Sequence, residues 1–202
     1  MTDGVAVPVI LASQSPARRR LLAAAGVAFQ ADSPRVDEEE VKRSLRAAGA
    51  KPEQAAEQLA ELKALKVSQR YPGALVIGAD QLLVCDGAWF DKPADRAAAL
   101  AQLEALQGRM HRLVTSLVVA RDGQRLWHHQ EAPRITLRRL DRAQLERYLE
   151  AAGDGVLSSV GAYHLEGLGA QLMLKVEGDH FTVQGLPLVP LLEFLRLNKA
   201  LA

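Results

Sequence analysis

The sequence has a single cysteine, Cys85, few aromatic residues and almost no net charge. Among 202 residues, 4% are Phe, Trp or Tyr, and the formal net charge is +1. One cysteine excludes an intrachain disulfide, so we expect Cys85 to be a small buried residue in a protein of the reducing cytoplasm. A nearly neutral chain with few aromatic rings has neither the electrostatic track nor the stacking surface of a nucleic-acid-binding protein. An anion-binding site must therefore be local.

The chain also lacks a long apolar run. No stretch approaches the roughly 18 consecutive apolar residues of a membrane-spanning helix, and the N-terminus lacks the basic flank and apolar stretch of a secretion signal. We therefore expect a soluble protein that has no membrane partner. Because 49% of the 202 residues are apolar, the chain can bury a substantial core, and we expect residues 1–202 to form a single domain of one or two lobes.

Strand-like and helix-like segments alternate along the chain without a repeat. Apolar segments with β-branched residues predict strands at Val7–Ala12 and Ala74–Val84. Two further segments, Leu113–Ala120 and Leu126–Leu137, flank the turn signal Asp122-Gly123 and predict a hairpin. Helical patterns separate the other strands, so the expected fold class is α/β with a mixed sheet.

Helix signals mark both ends of the chain. Ser15-Pro16 provides an N-cap and a first-turn proline for a helix near the N-terminus. The last helix should run from about Leu188 to Leu197. Its apolar residues pack either inside the chain or against a second subunit of a homodimer, because apolar periodicity is the same in both cases.

The segment LASQSPARRR, residues 11–20, has the features of a phosphate-binding junction between a strand and a helix. Ser13 and Ser15 place hydroxyl groups beside the free amide hydrogens of a helix start, where the helix dipole also favours an anion. Three successive arginines cannot share one helix face, and we choose Arg18 for the site. Taken alone, the segment fits an ordinary N-cap followed by a basic solvent-exposed face equally well.

A second signal is VIGADQLLV, in which Asp80 interrupts an apolar strand. An unpaired buried carboxylate costs several kcal/mol, so Asp80 must be paired, bound to a metal or placed at the open end of the strand. It is therefore either a structural hydrogen-bond acceptor or a catalytic or metal-binding group.

Other charged residues indicate a site only when they are considered together. The acidic run Asp37 to Glu40 is typical of a solvated helix N-terminus. Lys63 and Lys92 are each ordinary surface lysines when taken singly. Together with Arg18, the two lysines could neutralise a triphosphate.

The histidines do not form a metal cage in the sequence. His111 and the pair His128-His129 lack a third ligand at zinc-like spacing. We expect these histidines to be structural or exposed.

Several of these segments together resemble the Maf family of nucleotide pyrophosphatases. The matching motifs, in order, are LASQSPARRRLL, VDE at residues 36–38, LAELKA, VIGADQ, DKP, GRMHRLVT, VGAYHLEGLGA and QGLPL. The resemblance runs from Leu11 to about Leu188. It implies an elongated, twisted mixed sheet flanked by helices, in two lobes with a cleft between them. It also implies cleavage of a nucleoside triphosphate between the α and β phosphates, with a divalent metal cation, Mg²⁺ or Mn²⁺.

The resemblance assigns roles position by position. Asp80 matches the residue that accepts a proton from the attacking water. Glu38 matches an acidic residue that helps Asp80 to hold the metal. The phosphate-binding positions correspond to Ser13, Arg18, Lys63 and Lys92, beside which Ser15 adds a hydroxyl group.

Three positions bear on the choice of base. Gln81 and Glu166 match the branch of the family that hydrolyses 7-methyl-GTP rather than the branch for dTTP and UTP. A carboxylate at Glu166 could accept hydrogen bonds from the N1–H and the exocyclic amine of guanine. Ala17, however, stands where that branch has a tryptophan, whose ring would suit a cationic methylated base. Guanine is therefore the expected base, and the residues leave its methylation open.

Two other functions fit parts of the sequence. A dTTP or UTP pyrophosphatase would share the phosphate site and differ at the base. A nucleotide-binding regulator of cell division would share the binding residues without turnover. The full set of acidic and cationic residues needed for hydrolysis favours an enzyme.

Overall fold

The computed structural model describes residues 7–201. The α-helices of this part are α1 (Pro16–Ala24), α2 (Glu38–Ala47), α3 (Pro52–Ser68), α4 (Arg96–Leu106), α5 (Arg142–Ala152), α6 (His180–Val183) and α7 (Leu188–Leu197). The strands are β1 (Val9–Leu11), β2 (Gln30–Ala31), β3 (Leu75–Cys85), β4 (Ala88–Phe90), β5 (Met110–Arg121), β6 (Gln124–Glu131), β7 (Arg134–Leu137) and β8 (Met173–Glu177).

The strands form one mixed sheet with the order β2, β1, β3, β5, β7, β8, while β4 pairs with β3 and β6 pairs with β5. β1 is parallel to β2 and β3, whereas β6 and β7 are antiparallel to β5. Helices flank this sheet, and the predicted α/β class with a mixed sheet is confirmed. Among residues 7–201, none of the helices is long and apolar enough to cross a membrane.

Contacts divide the chain into two compact units. The first contains the described residues up to Gln81, together with Thr115–Glu131 and the residues from Gly185 onward. The second contains Leu82–Val114 and Ala132–Gln184. The single domain of residues 1–202 and the cleft between two lobes stay predictions.

In the first unit, α3 packs directly against β3 at Gly78. A Cβ atom on Gly78 would lie 2.2 Å from the carbonyl oxygen of Ala60 and 2.7 Å from the amide nitrogen of Ala64. Any side chain at this position would therefore push the helix away from the strand. Because alternate residues of a strand share a face, Asp80 lies on the same face of β3 as Gly78, next to the turn of α3 that carries Lys63.

The last helix of the first unit, α7, has the predicted bounds. One side packs inside the unit, since Leu191 and Leu195 are fully buried. Val189 and Leu197 are exposed. Of the two arrangements that the sequence left open, packing inside the chain therefore holds for one face of the helix, and a homodimer stays a prediction.

The second unit has its own core between β5, β7, α4 and α5. Its largest buried side chains include Leu103, Leu106, Leu113 and Ile135. Cys85 belongs to this core and is buried, as predicted.

The structure corrects one strand. We predicted a single strand over Leu126–Leu137, but β6 ends at Glu131 and β7 begins at Arg134. Pro133 lies between them, and its lack of an N–H group interrupts a ladder of backbone hydrogen bonds. The two strands belong to different units.

Candidate active site

The turn between β1 and α1 is built by the hydroxyl groups of Ser13 and Ser15. Ser15 is the N-cap of α1, and its Oγ accepts a hydrogen bond from the amide of Arg18 at 3.4 Å. Ser13 Oγ accepts hydrogen bonds from the amide of Ser15 and from Nη1 of Arg18, both at 3.2 Å. Pro16 occupies the first turn, where its missing N–H costs no helical hydrogen bond. Both hydroxyl groups therefore lie at the N-terminus of α1, where the helix dipole favours an anion.

Arg18 is the buried member of the three successive arginines. It is 9% exposed, whereas Arg19 and Arg20 are exposed. Its Nε donates a hydrogen bond of 2.8 Å to the carbonyl oxygen of Gly185. Burial lowers the pKa of the Arg18 guanidinium, and the charges of Asp80 and Glu38 oppose this shift. An arginine remains protonated at neutral pH, so a buried positive charge lies beside the turn.

Lys63 of α3 joins two carboxylates that are distant in the sequence. Its Nζ lies 2.7 Å from Asp80 Oδ1 and 2.8 Å from Glu38 Oε1. Lys63 and Asp80 are 4% and 3% exposed, while Glu38 is half-buried. Asp37 caps α2 by accepting a hydrogen bond from the amide of Glu40, which makes Glu38 the first residue of the helix. The predicted acidic N-terminus of a helix thus also brings one carboxylate to Lys63.

Asp80 has one oxygen that Lys63 does not engage. Its Oδ2 is buried and has no hydrogen-bond partner among residues 7–201. A buried polar atom without a partner costs about 1–3 kcal/mol, and more for a charged group. Such an atom is a site where a ligand, a water molecule or a cation would recover that free energy.

These carboxylates fit a divalent cation that phosphate oxygens also bind. Mg²⁺ prefers hard oxygen ligands and is commonly held by one or two carboxylates together with substrate phosphates. Glu38 and the unpartnered oxygen of Asp80 supply that kind of ligand. Within residues 7–201, no group of three or more His, Cys, Asp or Glu residues could hold a metal ion. A cation at Glu38 and Asp80 would therefore need further oxygen ligands, such as those of phosphates.

The residues proposed for base selection lie in different units. Gln81 of β3 belongs to the first unit, where its Nε2 donates a hydrogen bond of 2.8 Å to Oγ1 of Thr115. Ala17 is a half-buried residue of α1 in the same unit. Glu166 is an exposed residue of the second unit, as is Lys92. The first unit thus brings together the predicted serines, Arg18, Lys63 and the two carboxylates, and the second unit carries Lys92 and Glu166.

The sequence did not reveal that Gly185 is part of this site. Its backbone has φ +95°, and its carbonyl oxygen accepts the hydrogen bond from Arg18. A glycine before Leu-Pro in the motif QGLPL was the available signal, but nothing local in that motif points to an arginine 167 residues away.

The three histidines, predicted to be structural or exposed, make hydrogen bonds to neighbouring side chains. His111 is fully buried, and its Nε2 lies 2.6 Å from the hydroxyl of Tyr163. His128 Nε2 lies 2.9 Å from Ser116 Oγ, and His129 Nε2 lies 2.8 Å from Glu131 Oε1.

Comparison with known proteins identifies the family of this chain. Residues 8–198 match the family described as Maf-like protein. A nucleoside triphosphate pyrophosphatase of Paramagnetospirillum magneticum is 58% identical over 189 residues, which cover 94% of this chain and 97% of that protein. One of Rhodospirillum rubrum is 53% identical over 94% of both chains. A 7-methyl-GTP pyrophosphatase of Brucella suis is 48% identical over 96% of this chain and 98% of its own. The resemblance seen in the sequence is thus confirmed, and the protein belongs to the Maf family.

Proposed function

We propose that this protein hydrolyses a nucleoside triphosphate to the monophosphate and pyrophosphate. The observation that carries the proposal is the buried carboxylate of Asp80, held by Lys63 on one oxygen and unpartnered on the other among the described residues. The general activity agrees with the names of relatives that are 53% and 58% identical over nearly the whole chain.

The reaction requires a water molecule, a base and cations that offset the charge of the leaving group. Water adds to the α phosphorus, the bond from that phosphorus to the α–β bridging oxygen breaks, and pyrophosphate leaves. Asp80 accepts the proton of the water on Oδ2, because Oδ1 is engaged by the ammonium of Lys63. Oδ2 has two lone pairs, so one can accept the proton while the other faces a cation. The Lys63 contact also fixes the orientation of the carboxylate.

Positive groups bind the phosphates. Arg18 has two of its N–H donors engaged by Gly185 and Ser13, so the direction of its planar guanidinium is set before substrate binds. The start of α1 adds amide hydrogens and the hydroxyl groups of Ser13 and Ser15. Lys63 and Lys92 are the other two positively charged residues that bind the phosphates. Such groups stabilise the charge that develops on the departing pyrophosphate.

Glu38 and Asp80 are the residues that would hold Mg²⁺ or Mn²⁺, with oxygen atoms of the substrate completing the ligand set. When bound, such a cation would offset the charge of the phosphates and of the departing pyrophosphate. The half-buried position of Glu38 at the start of α2 leaves its carboxylate accessible to a cation that arrives with the substrate.

Guanine is the preferred base in this proposal. Glu166 accepts the two N–H groups of its Watson–Crick edge, and adenine would present an acceptor instead. The 7-methyl-GTP pyrophosphatase of Brucella suis, at 48% identity, supports a guanine-type substrate. Ala17 lacks the ring that would stabilise a methylated, cationic base, so GTP and 7-methyl-GTP are both included in the test.

The test is a pyrophosphate-release assay with GTP, 7-methyl-GTP, dTTP, UTP and CTP. It is run with Mg²⁺, with Mn²⁺ and with EDTA. We expect release from GTP or 7-methyl-GTP that EDTA abolishes. Fastest turnover of dTTP or UTP would remove the guanine assignment and leave the pyrophosphatase, whereas tight binding of nucleotides without any release would favour the regulatory alternative.

A further inference from the structure

In the second unit, buried hydrogen bonds hold two consecutive residues, Ala162 and Tyr163, of the loop that precedes Glu166. The hydroxyl of Tyr148, on α5, donates a hydrogen bond of 3.1 Å to the carbonyl oxygen of Ala162. The hydroxyl of Tyr163 lies 2.6 Å from Nε2 of His111, on β5. Both hydrogen bonds are buried. Residues of α5 and β5 therefore form hydrogen bonds with adjacent positions of one loop.

A third contact holds the preceding residue. Gln102 of α4 accepts a hydrogen bond of 3.2 Å from the amide of Gly161 through its Oε1. Gly161 and Ala162 both have left-handed backbone conformations, with φ of +79° and +56°. Such a conformation is unfavourable for alanine, and it persists where the surrounding contacts impose it. The three side-chain contacts supply that constraint.

The part of the loop that carries Glu166 contacts the backbone of His164, the residue after Tyr163. The amide of Gly167 donates a hydrogen bond of 3.2 Å to the carbonyl oxygen of His164. A Cβ atom on Gly169 would lie 2.4 Å from the same oxygen, so residues 164 and 169 are in backbone contact. Glu166 lies inside this closed turn. Its backbone position is therefore set by the residues that hold Tyr163.

The pair of His111 and Tyr163 is neutral at physiological pH. Burial lowers the pKa of His111 to about 4 and raises the pKa of Tyr163. The Nδ1 atom of His111 is buried and has no hydrogen-bond partner among the described residues. An apolar side chain would avoid the free-energy cost of that atom. The contact with the tyrosine hydroxyl is what an apolar residue could not supply.

We propose that His111, Tyr148 and Tyr163 are positioning residues that fix the loop carrying Glu166 and thereby set the preference for the base. The proposal rests on the proposed function, in which Glu166 contacts the base. The three residues act through the loop and are not among the groups that bind the phosphates or accept the proton in the proposed function. Loss of one hydrogen bond should weaken base discrimination more than it slows hydrolysis.

The test compares Tyr148→Phe and Tyr163→Phe with the wild type. Each change removes one hydroxyl group and keeps the ring. We expect the ratio of kcat/KM for GTP to that for UTP to move at least about fivefold toward unity in each variant, the effect of roughly 1 kcal/mol for one hydrogen bond. The change should appear in KM, with kcat for the better substrate altered less than about twofold.

The chain's other tyrosine provides a matched control. Tyr71 belongs to the first unit, and its hydroxyl donates a hydrogen bond of 3.1 Å to Oδ2 of Asp32. Tyr71→Phe removes the same group without touching the loop and should leave the ratio unchanged. At position 111, glutamine can place an amide nitrogen near the position of Nε2, so His111→Gln should retain more discrimination than His111→Leu.

Equilibrium binding separates a failure of this proposal from a failure of the proposed function. Calorimetric titration with GMP and UMP measures base preference without turnover. Weakened preference in both tyrosine variants supports the loop assignment, whichever nucleotide the wild type favours and even if it releases no pyrophosphate. Unchanged ratios in both variants, or equal losses for both nucleotides, would overturn it while leaving any measured hydrolysis in place.

Discussion

The hydrogen bond from Arg18 Nε to the carbonyl oxygen of Gly185 joins the first helix to the segment before the last one. It spans 167 residues of sequence and measures 2.8 Å. Gly185 presents this oxygen from a backbone with φ +95°, a conformation that glycine adopts readily and other residues rarely do. The direction of the buried guanidinium thus depends on a backbone conformation elsewhere in the chain.

Gly185→Ala should weaken substrate binding through Arg18. A Cβ atom there would lie 3.5 Å from Nε of Arg18, which is ordinary contact, so the cost arises from the backbone conformation. We expect the free energy of unfolding to fall by about 1–2 kcal/mol and KM for the nucleotide to rise severalfold. Steady-state kinetics and urea unfolding measure the two effects.

Gly49→Ala is the control for Gly185→Ala. Gly49 has φ +71°, and a Cβ atom added to it would meet open space. The substitution introduces similar backbone strain away from Arg18. An equal rise in KM in both variants would contradict a specific role for Gly185.

Asp80→Asn should retain the fold and lose hydrolysis. The amide has nearly the same shape as the carboxylate but cannot accept the proton of the attacking water. We expect kcat to fall by about 10²–10⁴, while Glu38 continues to pair with Lys63 and limits the loss of stability. Asp32→Asn, which alters a partner of Arg70 and Tyr71, is the control and should keep its turnover. Undiminished pyrophosphate release by the Asp80 variant would remove this residue from the mechanism.

Metal binding can be measured without turnover. If Glu38 and Asp80 hold the cation, millimolar Mg²⁺ or Mn²⁺ with a nucleoside monophosphate should raise Tm of the wild type by about 2–5 °C. Glu38→Gln should reduce this increase. Glu39→Gln changes the exposed neighbouring carboxylate on α2 and should not. An equal metal-dependent increase in both variants would argue against Glu38 as a ligand.

Glu166→Gln tests the choice of base. The amide oxygen can accept one of the two guanine N–H groups, but the amide NH2 is a donor and would face the other N–H without forming a hydrogen bond. We expect kcat/KM for GTP to fall by about 10- to 100-fold, because hydrogen bonds to charged groups contribute about 1.5–3 kcal/mol, while the value for UTP changes little. Glu150→Gln, on the exposed side of α5, is the control. Equal losses for GTP and UTP would exclude Glu166 from base recognition.

Much of the first unit could be predicted because its signals are local. Ser15-Pro16 marks the start of α1, and the cap acts within a few residues. The apolar run of β3 similarly reveals a buried strand, and a carboxylate within it must have a partner. Local chemistry does not specify which partner. The contact of Lys63 with Asp80 depends on Gly78, whose missing side chain lets α3 approach β3.

Long-range hydrogen bonds and the break between β6 and β7 were not predictable in the same way. Pro133 can be read from the sequence, but a proline is tolerated in an edge strand and excluded from a central strand. The sequence does not say which position this strand has in the sheet, so the break could not be predicted. The pair of His111 and Tyr163 joins residues 52 positions apart. His111 was predicted to be structural or exposed, and its partner could not be predicted, because neither motif contains a signal for the other.

The stability of the protein should depend on His111 in weakly acidic solution. Burial lowers its pKa from 6.5 to about 4 in the folded protein, so the unfolded chain binds the proton more strongly. Unfolding then takes up a proton between about pH 6.5 and pH 4, and stability falls as the pH falls through that window. From pH 7 to pH 5 this residue should lower the free energy of unfolding by about 2 kcal/mol.

Urea unfolding of the wild type and of His111→Gln at both pH values measures this effect of His111 on stability. The variant should lose less stability by that amount, whereas His180→Gln, which removes an exposed imidazole, should follow the wild type. Parallel losses in the wild type and in His111→Gln would mean that the buried imidazole accepts its proton without unfolding.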